Sequence, residues 1–340
     1  MTEQGTFSDS LRWATQIEQP AKHIYSISLR TRFRGIEVRQ GMVWCGPAGW
    51  AEWSPFLDYS PAEATTWYRA AVEAADVGWP TPIRDFVPVN CTIPAVSPEN
   101  AYRMTEASGC STAKVKVAAA GESLADDIER VEAVRSALGV EGRVRVDANG
   151  AWDLEAAQRA IRELARFDLE YVEQPCAVVE ELAALRRRLA RSGIEVRIAA
   201  DESIRRSADP YRVAELGAAD VAVLKVQPLG GVRACLEIAE RIELPVVVSS
   251  ALETSIGIRA GLALAAALPE LPFACGLNTV PLLATDLAES PLITTNGWLP
   301  VRNVEVSPAR LLAAQAPRDV VATWHARLGE VRQVMVKATA

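Results

Sequence analysis

Histidine is nearly absent from this chain of 340 residues, which contains only His23 and His325. The six cysteines are scattered without any CxxC spacing, a distribution typical of reduced thiols in a cytosolic protein. Neither residue type therefore offers an obvious metal-binding or catalytic pattern.

Long apolar runs and basic runs are missing as well. No stretch approaches the ~18 uninterrupted apolar residues of a membrane span, and the polar segment 1–10 lacks the apolar region of a signal peptide. A net charge of −7 and the absence of a Lys/Arg run argue against nucleic-acid binding. We therefore expect a cytoplasmic protein without a membrane, nucleic-acid or obligatory protein partner.

From residue 87 onward, apolar runs alternate with amphipathic segments of helical period. Eight runs have the character of strands: 87–95, 112–117, 143–149, 170–175, 196–203, 220–226, 245–250 and 273–279. This alternation predicts an α/β protein with parallel strands joined by crossover helices, and eight such strands close a (β/α)8-type barrel. Neither a GxGxxG sequence nor a Walker loop is present, which argues against an open doubly wound sheet.

The two ends of the chain have a different pattern. Three segments near the N-terminus resemble antiparallel strands, and a helical segment follows them: HIYSISLRTRF, GIEVRQGMVWC, GWAEWSP and then PAEATTWYRAAVEAA. The last sixty residues again mix short strands with one helix. We predict an α+β capping domain formed by 1–85 and completed by 283–340, over a catalytic barrel domain at 86–282.

Polar residues stand at the ends of successive predicted strands, where a barrel of this kind places its active site. Three of them are the acids Asp147, Glu173 and Asp201, each separated from the next by one strand–helix unit. Three buried like charges must protonate, pair with cations or bind a metal. Oxygen ligands without histidine or cysteine favour Mg²⁺, for which Mn²⁺ could substitute. The alternative is structural ion pairing with nearby arginine and lysine.

The stretch TAKVKV at 112–117 carries two lysines on a predicted buried strand. Because strand side chains alternate between faces, Lys114 and Lys116 project from the same face. The neighbouring ammonium and partial burial disfavour the protonated form of Lys116, which suits a group that takes and returns a proton at neutral pH. Lys225, at the end of the sixth strand, lies across the barrel. The alternative for each lysine is a counter-ion role beside the carboxylates.

Six motifs taken together resemble the enolase superfamily, specifically its muconate-lactonising subgroup: KVK, DANG, VEQP, ADES, LKVQPLGG and SSALETSIG. Within the subgroup, VSSALETSIG, the cap loop RTRFRGIEV and the compact length resemble the menaquinone-pathway dehydratases. These convert 2-succinyl-6-hydroxy-2,4-cyclohexadiene-1-carboxylate to o-succinylbenzoate. The two histidines lie outside the barrel candidates, so relatives with a histidine base are excluded. One departure is Asn278 in GLNT, where we expect relatives to carry aspartate.

The resemblance implies a division of labour in a Mg²⁺-dependent site. Asp147, Glu173 and Asp201 hold the metal, Lys116 removes the proton next to the substrate carboxylate, and Lys225 stabilises the resulting ene-diolate from the other side. We also expect substrate contacts from eight residues: Lys114, Asn149, Gly230, Gly231, Ser249, Ser250, Arg34 and Ser54. A tight turn for the two glycines and helix capping for the two serines are the alternatives.

Other functions remain open on this sequence. An N-acylamino acid racemase or dipeptide epimerase of the same subgroup would use Lys116 and Lys225 as two bases on opposite faces of the substrate. Cycloisomerase chemistry ranks behind it. A hypothesis from a different class of function is a non-catalytic barrel that binds a ligand, since fold does not prove function.

Overall fold

The N-terminal part of the protein is a small antiparallel sheet. The computed structural model describes residues 21–339, in which β1 (His23–Phe33), β2 (Ile36–Gly46) and β3 (Gly49–Trp53) pair in sequence order. Arg34 and Gly35 form the turn between β1 and β2 with φ of 50° and 77°. Two successive positive φ values are what a two-residue hairpin turn requires, and they leave the Arg34 side chain at the tip.

Helices from both ends of the chain complete this cap. The helix Ala64–Val72, continued by a π-helical turn at Glu73–Val77, packs against the C-terminal helix Arg318–Thr339. Trp53 and Trp324 meet edge to face in the cap core, with ring centroids 5.4 Å apart. The predicted three strands followed by a helix are confirmed. The domain boundaries stay a prediction, and residues 1–20 and 340 lie outside the described residues.

The rest of the fold is a strongly curled parallel sheet. Its eight strands are β4 (Phe86–Ile93), β5 (Thr112–Lys116), β6 (Arg143–Asp147), β7 (Leu169–Glu173), β8 (Ile198–Ala200), β9 (Val221–Leu224), β10 (Val246–Val248) and β11 (Cys275–Asn278). They pair in the order β10-β9-β8-β7-β6-β5-β4-β11. A parallel bridge between Ser249 and Gly276 joins the two ends of this order. The predicted barrel architecture and its capping domain are confirmed.

Helices surround the barrel and cover the outward faces of its strands. They are Pro98–Ser108, Leu124–Leu138, Leu154–Leu164, Val179–Arg191, Glu202–Arg205, Arg212–Glu215, Val226–Leu229, Val232–Arg241 and Ser255–Ala267, and Pro308–Ala313 follows later in the chain. Val115, Val146 and Val172 are fully buried between strands and helices. The alternate residues on these strands therefore face the barrel interior. None of the helices within residues 21–339 is both long and apolar enough to span a membrane.

The eighth strand ends differently from the others. After β11 the described chain makes a 3-10 turn at Val280–Leu282 instead of a crossover helix, and then returns to the cap. On the way, β12 (Trp298–Pro300) pairs antiparallel with β4. The C-terminal segment therefore contributes to the barrel sheet as well as to the cap.

Two cap glutamates bind the N-termini of barrel helices. The Glu73 carboxylate accepts a hydrogen bond from the backbone N–H of Val232 at 2.6 Å, and Glu52 accepts from those of Thr254 and Gly257, both at 3.1 Å. A helix N-terminus favours an anion because its first N–H groups have no partner within the helix. These contacts fix the cap over the carboxyl ends of the barrel strands.

A third glutamate at the interface between cap and barrel, Glu253, is expected to make the stability of the protein depend on pH. Burial, and then the nearby Glu52 carboxylate, raise the pKa of Glu253 to about 7 from an ordinary value of 4.5. Because the folded protein holds the Glu253 proton more tightly than the unfolded chain, the protonated group adds to the free energy of unfolding. That contribution is complete below the unfolded pKa and is lost as the pH rises through the folded pKa of about 7. Between pH 5.5 and 8 we expect the ionisation of Glu253 to lower the free energy of unfolding by about 2 kcal/mol.

Urea unfolding at both pH values measures this effect, and Glu253→Gln is the matched variant because it removes the charge at constant shape. Other titrating groups cancel in the comparison of the two proteins. The loss of stability between pH 5.5 and 8 is expected to shrink in Glu253→Gln. An equal loss in the two proteins would contradict the assignment.

Candidate active site

Polar side chains from four neighbouring strands meet at one end of the barrel. Lys114 and Lys116 come from β5, Asp147 ends β6, Glu173 ends β7 and Asp201 directly follows β8. Lys116, Asp147 and Glu173 are partners in register across β5, β6 and β7. The three carboxylates are at most 1% exposed. Both lysines of β5 line the same cavity, as strand alternation predicted.

Each carboxylate is paired with a cation. Lys114 Nζ donates to both carboxylate oxygens of Glu173 at 2.9 Å and lies 3.5 Å from Asp147 Oδ2. Lys116 Nζ donates to Asp147 Oδ2 at 2.5 Å, and Lys225 Nζ donates to Asp201 Oδ2 at 2.6 Å. The counter-ion role considered for Lys114 is therefore the one that its contacts support most directly.

The pKa values follow from burial and from these charges. Burial, and then the adjacent Asp147, raise the pKa of Glu173 to about 7. For Asp147, burial is outweighed by Lys116 and Lys114, so its pKa is lowered. For Asp201, Arg205 and Lys225 likewise outweigh burial and lower the pKa. Glu173 is thus the carboxylate whose charge is least compensated by the protein.

The donor set fits a hard divalent cation. In the described part of the chain, no three His, Cys, Asp or Glu side chains form a metal-binding group as they stand, and lysines lie against the carboxylates instead. However, Asp147, Glu173 and Asp201 supply buried oxygen ligands of the kind that Mg²⁺ prefers. The neighbouring Glu202 keeps a buried Oε2 without a hydrogen-bond partner. Added positive charge at this position would relieve the repulsion that raises the pKa of Glu173.

The cap forms the roof of the cavity. Phe33, Arg34 and Phe56 line it from above, and Lys116 Nζ lies 5.3 Å from the Phe33 ring centroid. The Arg34 guanidinium stacks on Phe56 at 4.0 Å and pairs with Asp58 at 3.4 Å. These contacts narrow the cavity, whose volume is about 40 Å³.

Most of the predicted substrate-binding residues line this cavity. They are Lys114, Asn149, Ser249, Ser250 and Arg34. Asn149 Oδ1 accepts from Lys116 Nζ at 2.7 Å, so it orients that lysine directly. Ser54 does not line the cavity: its hydroxyl donates to Glu52 at 2.7 Å and accepts from Arg39 at 2.9 Å. Ser54 therefore belongs to the cap–barrel interface.

The expectation for Gly230 and Gly231 requires a correction. The Gly230 and Gly231 amides donate to the backbone carbonyls of Gln227 and Val226. The helix N-terminus that follows is occupied by Glu73, and a Cβ on Gly231 would lie 2.2 Å from its Oε2. The two glycines form a tight turn with φ of 95° and 129°, which makes room for the cap carboxylate.

Asn278 lies outside the cavity lining. Its Nδ2 donates to Cys110 Sγ at 3.8 Å, and its buried Oδ1 has no hydrogen-bond partner. The neighbouring Thr279 lines the cavity instead and lies 3.0 Å from the Ser250 hydroxyl. Asn278 therefore makes its hydrogen bond to Cys110, which does not line the cavity.

Two positioning residues escaped the sequence analysis. Gln174 Oε1 accepts from the backbone N–H groups of Asp201 and Ser203, at 2.9 and 3.1 Å, and so connects two carboxylate strands. Arg205 Nε donates to Asp201 Oδ1 at 2.9 Å. The spacing of four residues between Asp201 and Arg205 was the available signal, because such pairs lie on one face of a helix.

Comparison with known proteins identifies the family. Residues 97–305 match the family model described as enolase C-terminal domain-like, and residues 24–75 match enolase N-terminal domain-like. The o-succinylbenzoate synthase of Thermobifida fusca is 61% identical over 91% of this chain and 95% of its own. The chain belongs to the o-succinylbenzoate synthase family. The o-succinylbenzoate synthase of Mycolicibacterium smegmatis is 51% identical over 89% of this chain and 92% of its own.

Solved structures agree with the fold of this family. Muconate lactonizing enzyme from Pseudomonas fluorescens superposes with a TM-score of 0.74 at 22% identity, covering 88% of this chain and 99% of that one. N-succinyl Arg/Lys racemase from Bacillus cereus gives 0.72 at 18% identity, over 87% and 97% of the chains. The expected superfamily and enzyme class, a lyase of the o-succinylbenzoate synthase family, are confirmed.

Proposed function

We propose that this protein dehydrates 2-succinyl-6-hydroxy-2,4-cyclohexadiene-1-carboxylate to o-succinylbenzoate in menaquinone biosynthesis. The carrying observation is that Lys116, Lys225 and Asp147 line one cavity, and that two lysines of its lining, Lys114 and Lys225, pair with the buried Glu173 and Asp201. The name of the 61% identical relative supports the same product. A small-molecule carboxylate is then the substrate, and the cytoplasmic location stays a prediction.

Asp147, Glu173 and Asp201 would hold Mg²⁺, with Mn²⁺ as a substitute. When bound, the metal would supply the positive charge that stabilises the anion formed by loss of a proton beside the substrate carboxylate. Lys114 remains beside Glu173 and Asp147 and keeps the site from accumulating negative charge. Its burial among carboxylates suits a fixed ammonium rather than a proton carrier.

Lys116 is the proton carrier in this proposal. Its neutral amine removes the proton from the ring carbon that bears the carboxylate. The resulting ammonium then gives a proton to the departing hydroxyl, which leaves as water while the ring becomes aromatic. Asp147 and Asn149, at 2.5 and 2.7 Å from Nζ, hold the amine in place between the two transfers.

Lys225 acts as a fixed cation. Its ammonium pairs with Asp201 and also lines the cavity. In this position it stabilises the negative charge that develops on the substrate and attracts the face of the ring. Dehydration needs one proton carrier, so Lys225 takes no part in proton transfer in this proposal.

Loss of the cyclohexadiene absorbance on adding purified protein, with Mg²⁺ present, tests the proposal. Rapid loss with formation of o-succinylbenzoate is the expected result. The two lysines in one cavity also favour a second candidate, an N-acylamino acid racemase or dipeptide epimerase. A stable diene, combined with solvent deuterium exchange into N-acyl amino acids, would replace the dehydratase by that function.

A further inference from the structure

A tyrosine of the cap reaches the carboxylate cluster of the barrel through one arginine. Arg205 donates from Nη1 to the Tyr59 hydroxyl, from Nη2 to Glu202 Oε1 at 2.5 Å and from Nε to Asp201 Oδ1 at 2.9 Å. The arginine side chain is 4% exposed. A single buried guanidinium therefore connects the cap to a carboxylate of the active site.

Arg205 fixes the orientation of the Asp201 carboxylate. Its contact is with Oδ1, while Oδ2 accepts from Lys225 at 2.6 Å. Because the two oxygens have different partners, the carboxylate cannot rotate without breaking a charge-assisted hydrogen bond. The direction in which Asp201 presents its lone pairs therefore depends on where the Arg205 guanidinium lies.

The position of the Tyr59 hydroxyl is set by the cap. Arg327 of the C-terminal helix donates to the carbonyls of Pro55, Phe56 and Tyr59, at 2.8, 2.5 and 3.0 Å. The Tyr59 ring packs edge to face on Trp67, with centroids 5.4 Å apart. The loop 55–59 is thus shaped within the cap and presents a preformed acceptor to Arg205.

We propose that Tyr59 and Arg205 are a positioning pair through which seating of the cap raises the affinity of the carboxylate site for a divalent cation. The inference rests on the proposed function, in which Asp201 is a metal ligand. By thermodynamic linkage, the bound cation must tighten the cap by the same factor. Hydrogen bonds to metal ligands commonly control affinity in this way.

Calorimetric titration of the full chain with Mn²⁺, without substrate, tests whether Tyr59 and Arg205 raise the affinity for the cation. Tyr59→Phe keeps the ring and removes the acceptor, whereas Arg205→Gln removes the guanidinium. Arg205→Gln is expected to weaken Mn²⁺ binding by about tenfold, and Tyr59→Phe by a smaller factor in the same direction. The double variant is expected to be no weaker than Arg205→Gln, because Tyr59 acts through Arg205.

Arg186→Gln is the matched control, since Arg186 is a barrel arginine whose ion pair, with Asp220 at 2.6 Å, involves neither Tyr59 nor Asp201. Its Mn²⁺ affinity is expected to be unchanged. Hydrogen exchange of the loop 55–59 is expected to slow on Mn²⁺ binding in the unmodified chain and less in Tyr59→Phe. Equal affinity of Tyr59→Phe and the unmodified chain, or an equal loss in Arg186→Gln, would overturn the pair. Absence of Mn²⁺ binding to the unmodified chain would overturn the metal site itself.

Discussion

Replacement of Lys116 by alanine is expected to lower kcat for dehydration by about 10³-fold, within the range that a positioned general base contributes. The variant loses both the acceptor of the substrate proton and the donor to the departing hydroxyl. Asp147 keeps Lys114 as a partner at 3.5 Å, so the fold and the carboxylate cluster are expected to survive. Diene absorbance measures the rate, and circular dichroism checks the fold.

Lys225→Arg is the companion to this experiment. Arginine keeps a cation beside Asp201 but does not exchange protons near neutral pH. Part of the dehydration is therefore expected to survive in Lys225→Arg and to disappear in Lys116→Ala. If Lys116→Ala retained kcat within a few-fold of the unmodified chain, Lys116 would not be the base.

The repeating positions on strands are what made this cluster predictable. Asp147, Glu173 and Asp201 occupy equivalent places at the ends of neighbouring parallel strands, and alternation placed Lys114 and Lys116 on one face. Positions that repeat along the sequence in this way predict which side chains meet in the barrel, and no knowledge of contacts between distant segments is needed. The chain contains five lysines, and three of them, Lys114, Lys116 and Lys225, line the cavity.

Contacts between distant segments were not predictable in the same way. Glycines before a helix indicate an anion site, but nothing near Gly231 reveals that Glu73, far away in the sequence, occupies it. Ser54 likewise lies close to the cavity lining in sequence, yet Glu52 and Arg39 hold its hydroxyl in the interface. Both outcomes depend on how the cap docks, which is a property of the whole fold.

Helix capping also shows why a local signal can be ambiguous. The sequence could not separate a phosphate- or carboxylate-binding N-terminus from one that the protein caps itself, because both use the same free N–H groups. In this protein the cap supplies its own carboxylates, Glu52 and Glu73, to two barrel helices. Those N-termini therefore hold the domains together rather than the substrate.

Removal of the metal is expected to abolish dehydration reversibly, and Glu173→Gln is expected to prevent its recovery. Glu173 is the central member of the three carboxylates, and its pKa of about 7 reflects burial and repulsion by Asp147. Loss of a partner that only supports a metal ligand typically costs 10–100-fold in affinity. Loss of the ligand itself is therefore expected to weaken Mg²⁺ binding by at least about 100-fold.

Two readouts separate binding from chemistry in this experiment. The melting temperature of the EDTA-treated chain is expected to rise with added Mg²⁺, since a ligand that binds the folded state stabilises it. Glu173→Gln is expected to lose that rise together with the activity. Glu170→Gln is the matched control, because Glu170 lies on the same strand but pairs with Arg145 at 2.5 Å. Full turnover in EDTA would contradict the magnesium assignment. A Mg²⁺-dependent rise retained by Glu173→Gln would instead remove Glu173 from the ligand set.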